Sequence, residues 1–228
     1  MILVLNLKMN LSKNNIIEYE NIIHDKNVIV LPQYPYLLFF SRGSYSLGSQ
    51  NVSKFAKGSY TGEVCAKGLK SLGVKYVLVG HSERKKYFGE TSSDFRMKIQ
   101  NVIDNDMIPI YCINETLEEM NDDKELKNIE NQLEAIPNYV KYIIVAFEPI
   151  WLINNPQEQI DIEHLNKVFE KIKTWLMERN INHAIIYGGG INKENLNELK
   201  NINCIDGFIM STSALDGNSL EYIYNNIN

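Results

Sequence analysis

The sequence predicts an α/β fold, a single (β/α)8 barrel over residues 1–228. Three observations predict it. About eight apolar, β-rich runs alternate with helical segments along the chain. Most of these runs are unbroken and not alternating, which suits strands buried on both faces of a parallel sheet. Residues able to do acid–base chemistry stand just past the ends of several runs, the place where barrel strands present their functional groups on one face.

The expected strands are 2–6, 28–31, 45–49, 76–80, 108–113, 142–147, 184–188 and 205–210. Pro109 sits near the start of its run, where a missing N–H is tolerated. Between the strands, Ser12 can cap a helix over 13–24, and Ser92 or Ser93 can cap one over 94–105. The polar stretch 117–136 places Leu126, Ile129, Leu133 and Ile136 on one helical stripe. Asp161 can cap the longest helix, 162–179, whose apolar face is Leu165, Val168, Phe169, Ile172 and Leu176. Shorter helices are expected at 194–200 and 218–226. Eight β/α units close a barrel, and such barrels typically run to about 250 residues. The alternative, a doubly wound open sheet, normally shows a glycine-rich turn after its first strand. Here the first strand runs into Asn6-Leu7-Lys8-Met9-Asn10, which has no glycine.

Composition narrows the function. The 228 residues are 44% apolar and 22% charged, with a net charge of −5 and both signs spread along the chain. No basic run is dense enough for a nucleic-acid or membrane surface, so neither is expected as a partner. An anionic substrate stays possible wherever local donors dominate. Cys65, Cys112 and Cys204 form no CxxC pair and no zinc spacing. Met1 leads straight into a strand, with no signal region and no membrane-crossing stretch. The expectation is a reduced, cytoplasmic protein without structural disulfides.

Four chemical residues stand at strand ends. Glu148 ends an apolar run and is followed by Pro149. A partly desolvated carboxylate there makes a usable base, although a surface glutamate capping the next element is as good a reading of Glu148 alone. His81 can donate or accept a proton; a lone histidine is more often satisfied by the following turn. Lys8 is the cation of the first strand end, and a solvated loop lysine is its ordinary reading. Asn6 lies on the same side of the extended chain as Lys8, two residues on. Glu83 and Arg84 can form a local ion pair or cap. His24, His164 and His183 sit in polar contexts and are read as ordinary. Gly188-Gly189-Gly190 and Ser211-Thr212-Ser213 follow the last two strands, where barrels often build a phosphate site from backbone N–H groups.

These segments together resemble the triosephosphate isomerase family over nearly the whole chain. Asn6-Leu7-Lys8-Met9-Asn10 resembles N-W-K-M-N. Gln50-Asn51-Val52 and Gly58–Val64 resemble the third loop. Val79-Gly80-His81-Ser82-Glu83-Arg84 followed by Phe88-Gly89-Glu90 is the most specific match. Tyr111-Cys112-Ile113-Asn114-Glu115 resembles C-I-G-E, Ala146–Trp151 resembles A-Y-E-P-V-W, and Tyr187-Gly188-Gly189 matches Y-G-G.

The resemblance implies a TIM barrel that interconverts dihydroxyacetone phosphate and D-glyceraldehyde 3-phosphate through an enediolate, in glycolysis and gluconeogenesis, with no cofactor and no metal. It implies Glu148 as base, His81 as electrophile, Lys8 as electrostatic anchor, Asn6 as orienting amide and Glu83 as support for the lysine. It implies Asn154, Gly189, Gly190, Ser211 and Thr212 around the substrate phosphate. It also implies a homodimer in which the 53–64 loop inserts into a second copy through Thr61.

Departures cluster at the phosphate end. The family lid reads P-x-W-A-I-G-T-G-K-T, whereas this chain has Asn154, Asn155 and Pro156 at the glycine-bearing tip and Gln157-Glu158 at the closing hinge. Gly190 replaces a serine, and Ser211-Thr212 replace Gly-Gly. Backbone donors survive most of these changes, but Pro156 has no N–H and stiffens the tip, and a positive φ at Thr212 would be strained. Phosphate binding is expected to persist with altered lid kinetics, and weaker closure would admit water and slow turnover. A weakened, metabolite-binding barrel and an isomerase of another sugar phosphate are the competing readings.

Overall fold

A computed structural model describes residues 1–10, 19, 21–120, 125–153 and 160–227. Its strands are β1 (Ile2–Asn6), β2 (Val28–Leu31), β3 (Ser46–Ser49), β4 (Tyr76–Val79), β5 (Ile108–Glu115), β6 (Tyr142–Pro149), β7 (Asn182–Tyr187) and β8 (Gly207–Met210). They pair in sequence order, all parallel, and β8 returns to β1 to close the barrel. The closing seam needs a glycine. A Cβ on Gly207 would lie 2.0 Å from the Ile2 carbonyl oxygen, so any side chain there forces the two strands apart.

The two-residue period of each strand divides the core. One set, including Val4, Leu31, Leu78, Ile110, Cys112, Ala146, Ile186 and Ile209, fills the barrel interior. The alternate set, including Leu3, Leu5, Val30, Val77, Val79, Tyr111, Val145, Phe147 and Tyr187, packs outward against the helices. This parity carries past the apolar part of each strand. Asn6 follows Val4, Asn114 follows Cys112, Glu148 follows Ala146 and Gly188 follows Ile186. Each therefore faces the barrel axis at its mouth.

The helices are α1 (Leu37–Phe40), α2 (Ala66–Ser71), α3 (Ser82–Phe88), α4 (Ser92–Ile103), α5 (Leu117–Met120), α6 (Glu125–Leu133), α7 (Ile150–Ile153), α8 (Ile162–Glu178), α9 (Leu196–Leu199) and α10 (Gly217–Asn226). Asp161 caps α8 by accepting the His164 N–H at 3.0 Å. The helix buries Leu165, Val168, Phe169, Ile172, Trp175 and Leu176, each worth roughly 1.5–3 kcal/mol of apolar burial.

Several expectations need correction. The cap of α4 is Thr91, not Ser92 or Ser93. Its Oγ1 accepts the Asp94 N–H while Asp94 accepts the Thr91 N–H, a reciprocal box for which neither serine has a partner at the right spacing. Of the stretch 117–136, α5 and α6 are helical and the helix ends at Leu133, three residues short of the expectation, with residues 121–124 outside the description. Strands β5 and β6 each run two residues further than expected, because their polar ends Asn114↔Glu148 and Glu115↔Pro149 still pair. Most of the helix expected over 13–24, with Ser12 as its cap, lies outside the described residues. Among the described residues no helix is long and apolar enough to cross a membrane.

Candidate active site

At the end of β1 the chain turns sharply, and Lys8 adopts φ 47°, a left-handed conformation that costs a lysine energy. Two contacts hold it there. The buried Asn6 side chain accepts the Lys8 N–H at 3.2 Å. Gln50 donates from Nε2 to the carbonyls of Lys8 (2.9 Å) and Leu31 (2.8 Å). The Lys8 ammonium pairs with Glu83 Oε1 at 2.9 Å.

His81 caps α3. Its Nδ1 accepts the Glu83 N–H at 3.3 Å. An acceptor role for Nδ1 leaves the ring proton on Nε2. Nε2 lies 3.4 Å from Glu148 Oε1. The Glu83 carboxylate is also 3.5 Å from Nδ1, a pairing that would require a proton on that nitrogen. The backbone N–H pointed at the same lone pair argues for the neutral ring.

Glu148 is 3% exposed, and its two oxygens are held separately. Oε1 faces His81, and Oε2 accepts a hydrogen bond from Asn114 Nδ2 at 2.9 Å. Gly188 leaves the space that the carboxylate occupies: a Cβ there would stand 3.0 Å from Glu148 Cγ and 2.5 Å from Ile209 Cγ2. Burial, reinforced by the Glu148 charge, pushes the neighbouring Cys112 thiol well above its ordinary range. Burial also lowers the Lys85 ammonium below its usual value.

One cavity of about 470 Å³ gathers these groups with the last two loops. Lys8, His81, Glu148, Gly188, Gly190, Ser211 and Thr212 all line it. An adjoining cavity of about 620 Å³ shares Lys8 and His81 and adds Asn6, Glu83 and Gln50. Gly189 is buried, its Cα packed against the Tyr187 hydroxyl and Pro149. Gly190 takes φ 56°, which the family serine position here meets with glycine. Thr212 is not among the residues of positive φ; it opens a 3₁₀ turn, Thr212–Leu215, so the strain expected there does not arise. Asn154, Asn155 and Pro156 lie outside the described residues.

Sequence reasoning missed two contributors to the site and one buried pair outside its cavities. Gln50 and Asn114 entered only as parts of motifs, although each touches a residue of the site. His164, read as an ordinary polar helix residue, is buried, and its Nε2 lies 2.7 Å from Glu115 Oε2. Its signal was present: His164, Val168 and Ile172 fall on one helical face.

A buried carboxylate, an imidazole N–H and an ammonium around one cavity can remove a proton from carbon and stabilise the resulting oxyanion. The sequence model of the family described as "Triosephosphate isomerase" matches residues 1–227. The chain is 36% identical over 228 residues to a triosephosphate isomerase of Ureaplasma parvum serovar 3, covering 95% of this chain and 94% of the relative. It is 40% identical over 171 residues to that of Mesomycoplasma hyorhinis, covering 74% and 69%. It is 36% identical over 191 residues to that of Gloeobacter violaceus, covering 83% and 78%. With the barrel and its strand-end chemistry, these matches show that the chain belongs to the triosephosphate isomerase family.

Proposed function

We propose that the chain, working as one barrel domain, interconverts dihydroxyacetone phosphate and D-glyceraldehyde 3-phosphate with Glu148 as the base. Glu148 removes a proton from the carbon next to the carbonyl and returns it to the adjoining carbon. The Nε2–H of His81 donates to the oxygen on which charge develops. Lys8 supplies positive charge to the same oxygens, held in place by Glu83 and by the turn that Asn6 and Gln50 support. Gly190, Ser211 and Thr212, with Gly189 behind them, form the phosphate end. Fixed donors in a partly dry cavity stabilise an enediolate better than mobile water does.

The observation that carries this reading is the 470 Å³ cavity shared by Glu148, His81 and Lys8 with both C-terminal loops. A coupled assay with glyceraldehyde 3-phosphate on wild type and Glu148→Ala tests it. The expected loss is about 10²–10⁴-fold, typical of a positioned acid or base. A folded wild type that binds the metabolite without turning it over would favour a binding barrel. That second reading is motivated by the altered lid and phosphate loops.

The active form is a homodimer. The 53–64 loop projects with Ala56–Glu63 exposed, stiffened by a parallel stack of Phe55 on Tyr60 at 3.8 Å. Thr61 stands in this exposed tip. The cavity beside Lys8 is bordered by Met9, Tyr87 and Phe88, which are 87%, 67% and 64% exposed. A loop tip seated over them would cover that apolar surface and close the outer side of the site. A cytoplasmic location fits the unpaired cysteines.

A further inference from the structure

We propose that Asn114 is a positioning residue for Glu148, one that the family pattern C-I-G-E, with glycine at this place, does not provide. The proposal rests on the reading of Glu148 as base. Asn114 and Glu148 are direct neighbours in the β5–β6 register. Both face the barrel mouth, and they are 7% and 3% exposed. The amide donates to Oε2 at 2.9 Å, while Oε1 is left facing His81. The reverse orientation of the amide would set its oxygen against the carboxylate, so chemistry fixes which end donates.

The Asn114 main chain is held firmly, while its side-chain Oδ1 has no hydrogen-bond partner among the described residues. Gln132 of α6 accepts the Asn114 N–H at 3.0 Å and donates to the Asn114 carbonyl at 2.7 Å. Tyr111 donates to the Gln132 carbonyl at 2.9 Å, and Lys85 donates to its side-chain oxygen at the same distance. A helix on the outside of the barrel thus fixes the backbone that carries the amide touching the base. Glycine at 114 would leave Oε2 without this partner.

A donor to the ionised carboxylate does two things. It stabilises the negative charge on Oε2 through a charge-assisted hydrogen bond. It also restricts the carboxylate to one rotation, with Oε1 free to reach substrate. The other charged or titratable groups facing Glu148 are His81 from the start of α3, Cys112 on β5, Lys85 on α3 and Lys8 after β1. None is altered by substitution at 114.

Steady-state kinetics of the folded variants with the triose phosphate read the effect. Asn114→Asp keeps the shape but replaces the donor by a second carboxylate, and its kcat is expected to fall at least as far as that of Asn114→Ala. In Asn114→Ala, kcat is expected to fall about tenfold with KM within about twofold of wild type. An unchanged kcat in either folded variant would overturn the proposal. The two readings fail separately: a wild type without turnover defeats Glu148 as a catalytic base, whereas an active wild type whose kcat survives both substitutions defeats only Asn114.

Discussion

A methyl group at position 188 is the smallest perturbation that reaches the chemistry. It would press on Glu148 Cγ and Ile209 Cγ2 and leave the other groups of the cavity in place. Gly188→Ala is expected to lower kcat/KM by about 10²-fold, the usual result of displacing a reacting group by about 1 Å. Circular dichroism should show the variant folded. Lys8→Met removes the one ammonium that, among the described residues, lines both cavities, and KM for the triose phosphate is expected to rise steeply without a change in melting behaviour. Retained affinity would remove Lys8 from the role of charge anchor. The groups at single strand ends were legible because each lies within three residues of an apolar run, and strand parity says which way Asn6 and Glu148 face. His81, in phase with the outward Val77 and Val79, reaches the site past the left-handed Gly80 (φ 78°). The contacts between them were not. Asn114 meets Glu148 only through the register of two strands thirty-four positions apart in the chain, and Gln50 meets Lys8 across forty-two.

The capping box of α4 gives the clearest handle on an element. Thr91→Ala is expected to cost about 1 kcal/mol in denaturant unfolding. Asp94 adds a pH signature. Its carboxyl is pushed down to about 2, chiefly by the Lys54 ammonium that donates to it and then by the Thr91 N–H. A depressed carboxyl stabilises the fold above its ordinary titration range, near pH 4, and loses that contribution as pH falls toward 2. Asp94→Asn is therefore expected to flatten the stability profile between about pH 4 and pH 2, measured by thermal melts. The helix was legible but its cap was displaced by one or two residues. Three candidate hydroxyls in a row, Thr91, Ser92 and Ser93, differ only in whether an acid stands at the third helical position. The long helix α8 was legible at both ends because Asp161 has no such rival.

At the scale of the molecule, the alternation of eight apolar runs with helices was enough to foresee a closed parallel barrel, since parallel strands buried on both faces leave few other arrangements. The loops were less legible, because a loop's path depends on what it packs against. The 53–64 loop shows this: its Phe55–Tyr60 stack follows no local pattern. If that loop seats in a second copy, light scattering should report a dimer, and Thr61→Arg should yield monomers of much reduced specific activity. A wild type that stays monomeric at assay concentrations while fully active would defeat the proposed assembly.

Proton transfer by Glu148 is best tested by incubating dihydroxyacetone phosphate with the enzyme in deuterium oxide and following both sugars by proton NMR. The account predicts deuterium on the carbon next to the carbonyl in recovered substrate and in product, appearing with wild type and at least about 10²-fold more slowly with Glu148→Ala. Isomerisation to full equilibrium with no deuterium in either sugar, or undiminished exchange without the carboxylate, would contradict it.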